Sequence, residues 1–206
     1  MVAGPGGRER AGSSLPVRVG LLVALGGILL DQATKELAEA LLERGEFVGL
    51  IGESVGWQLV YNPGGAFGMP APPWVFLVVT VLVIAIVVRT LPATESLLQA
   101  TAYGLLLAGA IGNVLDRLLR PGDDGLMGGH VVDFVAWGWW PRFNVADACI
   151  TVGFALLLVA LVGQELADRR REPGEDGAGD GDHADPRDGQ VSRGGPGEDG
   201  TGRGRP

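Results

Sequence analysis

The 206-residue chain reads as an all-α integral membrane protein with four transmembrane helices and a small extracytoplasmic β element between helices one and two. Three observations predict this. Charged residues make up 19% of the chain, and they are placed so unevenly that four long apolar stretches contain none. The unusual polar residues gather at the ends of those stretches. The last forty residues are the opposite extreme, with eleven Gly, ten acidic residues, seven Arg, four Pro and no aromatic side chain. Such a segment cannot bury enough apolar surface to offset its ordering entropy. The expected organisation is a cytoplasmic N-terminal segment over residues 1–16, a four-helix membrane domain over 17–166, and a disordered acidic, Gly-rich cytoplasmic tail over 167–206.

A helix crossing the roughly 30 Å hydrocarbon layer needs about 20 mostly apolar residues. Residues 70–88 and 96–115 are uncharged and meet that length, and residues 148–164 come close. Residues 19–30 are too short alone and must continue through Asp31 and Lys35 to cross. Arg8, Arg10 and Arg18 before that short run also fit a signal peptide, but no small-residue cleavage site follows, and the apolar pattern continues through Leu37, Leu41 and Leu42. The first span is therefore expected to stay uncleaved.

Positive charge marks the cytoplasmic side. Arg8, Arg10 and Arg18, then Arg89, then Arg169, Arg170 and Arg171 put both termini inside, although Arg44, Arg117, Arg120 and Arg142 lie on the opposing connections. Between spans one and two, residues 55–61 alternate in the manner of a strand and lead into the Gly-rich Asn62-Pro-Gly-Gly-Ala-Phe67. The net charge of -8 divides between tail and membrane domain, and neither part has the basic surface of a nucleic-acid binder. With one cysteine, Cys149, no intrachain disulfide forms, and no Cys/His spacing suggests a structural zinc site.

This topology carries the polar residues to one face. Asp31 and Lys35 close span one, Asn113, Asp116 and Arg117 close span three, and Asn144 and Asp147 open span four, with His130 and Asp133 in the loop between. Ionisable groups at membrane depth are costly unless paired or wet, so their convergence marks a site. Each also has a plainer explanation. Asp31 and Lys35 fit an intrahelical i,i+4 pair, Arg117 fits a snorkelling side chain, and Asn144 with Asp147 fits a helix cap. His130 fits a polar loop residue and the five tryptophans fit interfacial anchors. The Gly-rich connection over residues 119–129 fits either a cover over a groove or a passive insertion.

Asp31, Asp116, Asp133 and Asp147 are the acids at this face, and no serine elbow, Walker loop or His-Glu-x-x-His pair accompanies them. Two close carboxylates share a proton, so one activates water while the other polarises a carbonyl. That chemistry suits an aspartyl hydrolase. Clustered acids also hold Mg²⁺, so a lipid phosphotransferase is a rival, although its site would face away from nucleotide substrates. A small proton-coupled transporter is the non-enzyme rival, although spans two and four offer almost no inward-facing polar groups.

Five blocks in order resemble lipoprotein signal peptidase (signal peptidase II): Asp31-Gln-Ala-Thr-Lys35, Asn62-Pro-Gly-Gly-Ala-Phe67, residues 109–117 with Asn113, Asp116 and Arg117, His130-Val-Val-Asp133-Phe134, and residues 143–153 with Asn144, Ala146 and Asp147. The resemblance covers roughly residues 17–166. It implies a membrane aspartyl endopeptidase, without metal or cofactor, that removes signal peptides from bacterial prolipoproteins by cutting before the diacylglyceryl-modified cysteine. It maps the catalytic acids to Asp133 and Asp147. Asp31, Lys35, Asn62, Gly64, Asn113, Asp116, Arg117, Val131, Asn144 and Ala146 match positions that support the dyad or line the substrate groove. The implied setting is the bacterial cell membrane, multi-pass with both termini cytoplasmic and the active site near the outer face. The implied partners are diacylglyceryl-modified prolipoproteins and membrane lipid, not nucleic acid. Cys149 is expected to be inert packing. The interval from Arg117 to His130 is longer than in compact members, and the tail has no counterpart in the motif set.

Overall fold

In a computed structural model, the described residues are 14–64, 72–122, 125 and 127–171. The element order is α1 (Ser14–Leu41), β1 (Phe47–Ile51), β2 (Val55–Asn62), α2 (Pro73–Thr90), a 3₁₀ turn (Leu91–Ala93), α3 (Leu97–Leu119), β3 (Val131–Trp137), β4 (Trp140–Phe143) and α4 (Val145–Arg171). The expected tail and most of the N-terminal segment lie outside the described residues, as do residues 65–71 with Ala66 and Phe67 of the second motif.

The helices are patterned for a solvent more apolar than their own interior. On α1 the buried positions are Pro16, Gly20, Ala24, Asp31, Lys35 and Ala38, all on one face, while Leu21, Leu22, Leu25, Leu29, Leu30 and Leu37 point outward. Small and charged residues inside with leucines outside is the arrangement lipid permits, because an unpaired charge facing hydrocarbon is costly. Among the described residues, three helices are long and apolar enough to cross a membrane: Leu15–Leu41, Leu97–Leu119 and Val145–Arg170. The remaining expected span forms α2, 18 residues with Pro73 at its first turn, where a missing N–H costs nothing. Its apolar stretch, Leu77–Ala93, is shorter than the other three.

Helix α3 is the hub, packed on α1 and on α4. Close approach depends on small residues. A methyl group at Gly27 would sit 2.5 Å from the Ala108 Cβ, and one at Gly109 would collide with Ile150 and the Ala146 carbonyl of α4. Away from the sheet, Thr94 donates to Gln99 Oε1 (2.9 Å) and Gln99 Nε2 donates to Gln164 Oε1 (2.9 Å), a polar tie between α3 and α4.

Two expectations change here. The β element is larger than the one expected between the first two helices. It is a four-stranded antiparallel sheet in the order β1-β2-β3-β4, built from both connections, with Val60 opposite Asp133 and Asn62 opposite Val131. The segment carrying Asp133 is thus a strand, not a loop. Val131, Val132, Asp133, Phe134 and Ala136 are all buried, so the strand is covered on both faces and shows no polar alternation to read. Val132 and Phe134 pack with Leu59 and with Ala38 of α1, which seats the sheet on the end of the first helix. The second change is at the end of α4, which runs to Arg171, past the boundary expected at 166. Arg169 pairs with Glu165 one turn back (2.7 Å), and arginines suit a helix C-terminus.

The long connection after α3 is stitched at its base. Gly122 and Gly129 form an antiparallel bridge, Gly129 donates its N–H to the Arg117 carbonyl (3.0 Å), and His130 donates its N–H to Pro121 (3.2 Å). A side chain at position 129 would meet the Asp116 and Arg120 carbonyls at 2.6 Å, so the chain requires glycine there.

Candidate active site

Where the sheet meets the ends of α1, α3 and α4, the polar residues close into one network. Asp133 enters from β3, opposite Val60, and is 3% exposed. Asp147 enters from the first turn of α4, where a carboxylate faces the positive end of the helix dipole. Asn144 joins them. Its side-chain amide donates to Asp133 Oδ1 (2.7 Å), its backbone N–H donates to Asp147 Oδ2 (3.3 Å), and its Oδ1 accepts the Asp147 N–H (3.0 Å). The cap expected from sequence is therefore present, and the same residue also reaches the second acid.

Two further amides complete the frame. Asn62 accepts the Gly64 N–H at Oδ1 (2.9 Å), a turn that aims its Nδ2 at Asp133 Oδ2 (2.9 Å). Asn113 of α3 donates to Asp147 Oδ1 (2.9 Å) and accepts from Asn144 (3.1 Å) and Lys35 (3.1 Å). Arg117 Nη2 donates to the Gly64 carbonyl (2.7 Å) and fastens the start of the Gly-rich segment to α3. Burial pushes the Asp133 carboxyl up to about 7. The nearby Asp147 charge adds to this, and hydrogen bonds from Asn62 and Asn144 and the charge of Lys35 oppose it.

Beside this pair lies a second, made of Asp31 and Asp116. Lys35 Nζ stands 2.8 Å from an oxygen of each, and all three side chains are fully buried. The i,i+4 pair expected between Asp31 and Lys35 is real but is only half of a three-residue bridge. Asp31 Oδ1 also accepts the Ala146 N–H (2.8 Å), and Asp116 Oδ2 accepts the Val132 N–H (3.1 Å). Val131 and Ala146 are buried packing positions beside the two acids. Gly112 lies against Asp31, whose Oδ2 would be 2.6 Å from any Cβ there. Cys149 is buried near Gly27 on the α1–α4 contact.

Sequence reasoning missed two residues of this network. Gln32 Nε2 lies 3.1 Å from both Asp31 Oδ2 and Asp116 Oδ1, and 3.2 Å from the Gly112 carbonyl. Arg120 pairs with Asp116 (3.0 Å), with Glu36 (2.8 Å) and with Glu39. The i,i+4 spacing of Asp116 and Arg120 is a signal that could have found the second. Gln32 lies inside the first motif, but adjacent helical residues point about 100° apart, so nothing placed its side chain between the two acids.

Among the described residues, the sequence-predicted positions Asp31, Lys35, Asn62, Gly64, Asn113, Asp116, Arg117, Val131, Asp133, Asn144, Ala146 and Asp147 all lie in or against this network. The family described as signal peptidase (SPase) II matches residues 23–163, which span the whole of it. The lipoprotein signal peptidase of Rhodococcus jostii (strain RHA1) is 47% identical over 155 residues, covering 73% of this chain and 77% of the relative. That of Mycolicibacterium smegmatis (strain ATCC 700084 / mc(2)155) is 44% identical over 164 residues, covering 78% and 68%. A bacterial membrane enzyme structure obtained by the in meso method at 2.3 Å resolution superposes with a TM-score of 0.63 at 27% identity, covering 77% of this chain and 94% of that one. Sequence, fold and the five ordered motifs agree, and the chain belongs to the signal peptidase II family of membrane peptidases.

Proposed function

We propose that this membrane peptidase is an aspartyl endopeptidase that removes signal peptides from bacterial prolipoproteins, cutting before the diacylglyceryl-modified cysteine, with Asp133 and Asp147 as its catalytic pair. The carrying observation is the shared frame of Asn144, one residue that holds both carboxylates. Burial that raises Asp133 to about 7 favours one proton shared between the two acids near neutral pH. In that state the ionised carboxylate takes a proton from the attacking water. The protonated one donates to the scissile carbonyl oxygen as the tetrahedral intermediate forms. As the C–N bond then breaks, the acid that took the water proton gives it to the leaving amine, and the intermediate's hydroxyl returns a proton to the other carboxylate. Asn62, Asn113 and Asn144 hold the carboxylates in position, and Arg117 fixes Gly64 at the rim of the groove. No step draws on a cofactor. The phosphotransferase and transporter alternatives are not favoured, since family membership points to peptide hydrolysis and Asp31 and Asp116 are already committed to Lys35.

The topology that goes with this reading has four crossings of the bacterial cell membrane, both termini cytoplasmic, and the dyad near the outer face where lipid-modified precursors present their cleavage site. The lipid anchor of the substrate stays in the bilayer while the peptide reaches the sheet. Purified protein incubated with a diacylglyceryl-modified prolipoprotein and with its unmodified precursor tests the reaction. Cleavage of the modified form alone is expected, and cleavage of neither, or loss of activity with chelator, overturns it. In a Cys149→Ala background, a cysteine at Gly125 is expected to react with an impermeant reagent from outside and one at Gly177 is not. The reverse pattern overturns the orientation.

A further inference from the structure

The bridge of Asp31, Lys35 and Asp116 has an unusual relation to the dyad. Asp31 holds the backbone N–H of Ala146, the residue immediately before Asp147 (2.8 Å). Asp116 holds the backbone N–H of Val132, the residue immediately before Asp133 (3.1 Å). Both carboxylates meet on one ammonium, at 2.8 Å each, and the Gln32 amide spans them from the side at 3.1 Å each. The same ammonium reaches Asp147 through Asn113. Each catalytic acid thus has its backbone clamped one residue upstream, and the two clamps share a single centre on α1.

We propose that Lys35, braced by Gln32, is a positioning residue that sets the spacing of Asp133 and Asp147 by holding the two backbone clamps together. The inference rests on the aspartyl-dyad reading. Neither side chain needs to touch substrate. β3 and α4 are separate elements linked through β4; Asn144 ties their side chains, and the Lys35 centre joins the two backbone clamps. A dyad needs both, because two carboxylates sharing a proton must stay within one hydrogen-bond geometry while the intermediate forms. A displacement of about 1 Å in such an arrangement costs on the order of 100-fold in rate. An ammonium between two buried acids is stiff, since moving either acid away exposes an uncompensated buried charge.

The centre is also electrostatic. The charged groups facing Asp133 are Asp147 from α4, Lys35 from α1 and Arg117 from α3, with Asp31 and Asp116 bound to Lys35. Removing the ammonium takes away a charge that favours ionised Asp133, so the alkaline limb of the pH–rate profile moves upward.

The test uses the full chain in lipid, a diacylglyceryl-modified prolipoprotein, and kcat and KM measured across pH. The double variant Lys35→Met/Asp31→Asn keeps the net charge of the cluster and leaves an oxygen at position 31 for the Ala146 N–H. It is expected to lower kcat by about 100-fold with KM little changed, and to move the alkaline limb upward. Gln32→Leu leaves every charge in place and is the variant to use where the double variant does not fold. It is expected to lower kcat by about 10-fold at the wild-type KM. A folded double variant with wild-type kcat and pH limb, or a Gln32→Leu enzyme with wild-type kcat, overturns the inference. Failure of the parent reading looks different: wild-type protein that leaves the lipidated precursor intact, or an active Asp133→Asn enzyme, removes both.

Discussion

Two pairs of carboxylates, all buried but for the partly buried Asp147, sit side by side in this protein and are treated in opposite ways. Asp31 and Asp116 have an ammonium between them, Lys35 at 2.8 Å from each, and their remaining oxygens accept from backbone N–H groups, Gln32 and Arg120. Asp133 and Asp147 are held by Asn62, Asn113 and Asn144, side chains that donate hydrogen bonds but bring no charge. Two cations, Lys35 between the acids and Arg120 on Asp116, compensate the two negative charges and turn the first pair into a strut. Amide donors orient the second pair without neutralising it, and burial, with the Asp147 charge adding to it, raises Asp133 to about 7. The difference teaches that proximity alone does not set how two acids behave. What lies between them decides.

The sharpest way to break this comparison is to make the second pair as inert as the first. Asp133→Asn or Asp147→Asn keeps size and much of the hydrogen bonding, and is expected to lower cleavage by about 1,000-fold or more, with normal insertion into the membrane. Substantial turnover in either variant would mean that the two pairs do not differ in kind. Next in size is Asn144→Ala, which removes the one side chain that ties the acids together. A loss of about 10- to 100-fold in kcat is expected, measured on the lipidated precursor.

The pH dependence sharpens the same contrast. The proposed dyad works through a shared proton, so activity is expected to fall as pH rises above about 7, the value for Asp133. Asn62→Ala removes a hydrogen bond that favours the ionised form, and moves this limb to higher pH. Stability follows with a defined sign. Asp133 is raised from its ordinary 3.8, so the folded protein holds a proton that the unfolded chain releases. This favours folding below about 4 and is lost as pH rises through about 7. Asp133→Asn is therefore expected to be more thermostable than wild type at pH 8, with the gap closing toward pH 4. A gap that widens on acidification would contradict the raised value. The smallest effect is expected from a stop after Arg171, which removes the acidic, Gly-rich segment. Cleavage in membranes should stay within about two-fold of wild type, since the segment's composition argues against a part in the site.

The amino-acid sequence by itself determined the helices and the list of polar residues that gather around the site. Long uncharged stretches can cross hydrocarbon and little else, and ionisable residues at their ends are too costly to be incidental. Strand β2 was legible for a similar local reason, the alternation over residues 55–61. Strand β3 was not, because burial on both faces erases the period that identifies a strand. Nor could spacing alone reveal that Lys35, an apparent partner of Asp31 one turn away, equally serves Asp116, or that Gln32 spans both. Those contacts join residues about 80 positions apart through the close approach of α1 and α3, which small residues such as Gly27 and Ala108 permit. Local pattern encodes which segments are helices and which residues are too polar for lipid. Which acid receives a cation and which is left to share a proton depends on the packing of three helices against one sheet, a long-range property that tertiary structure alone decides.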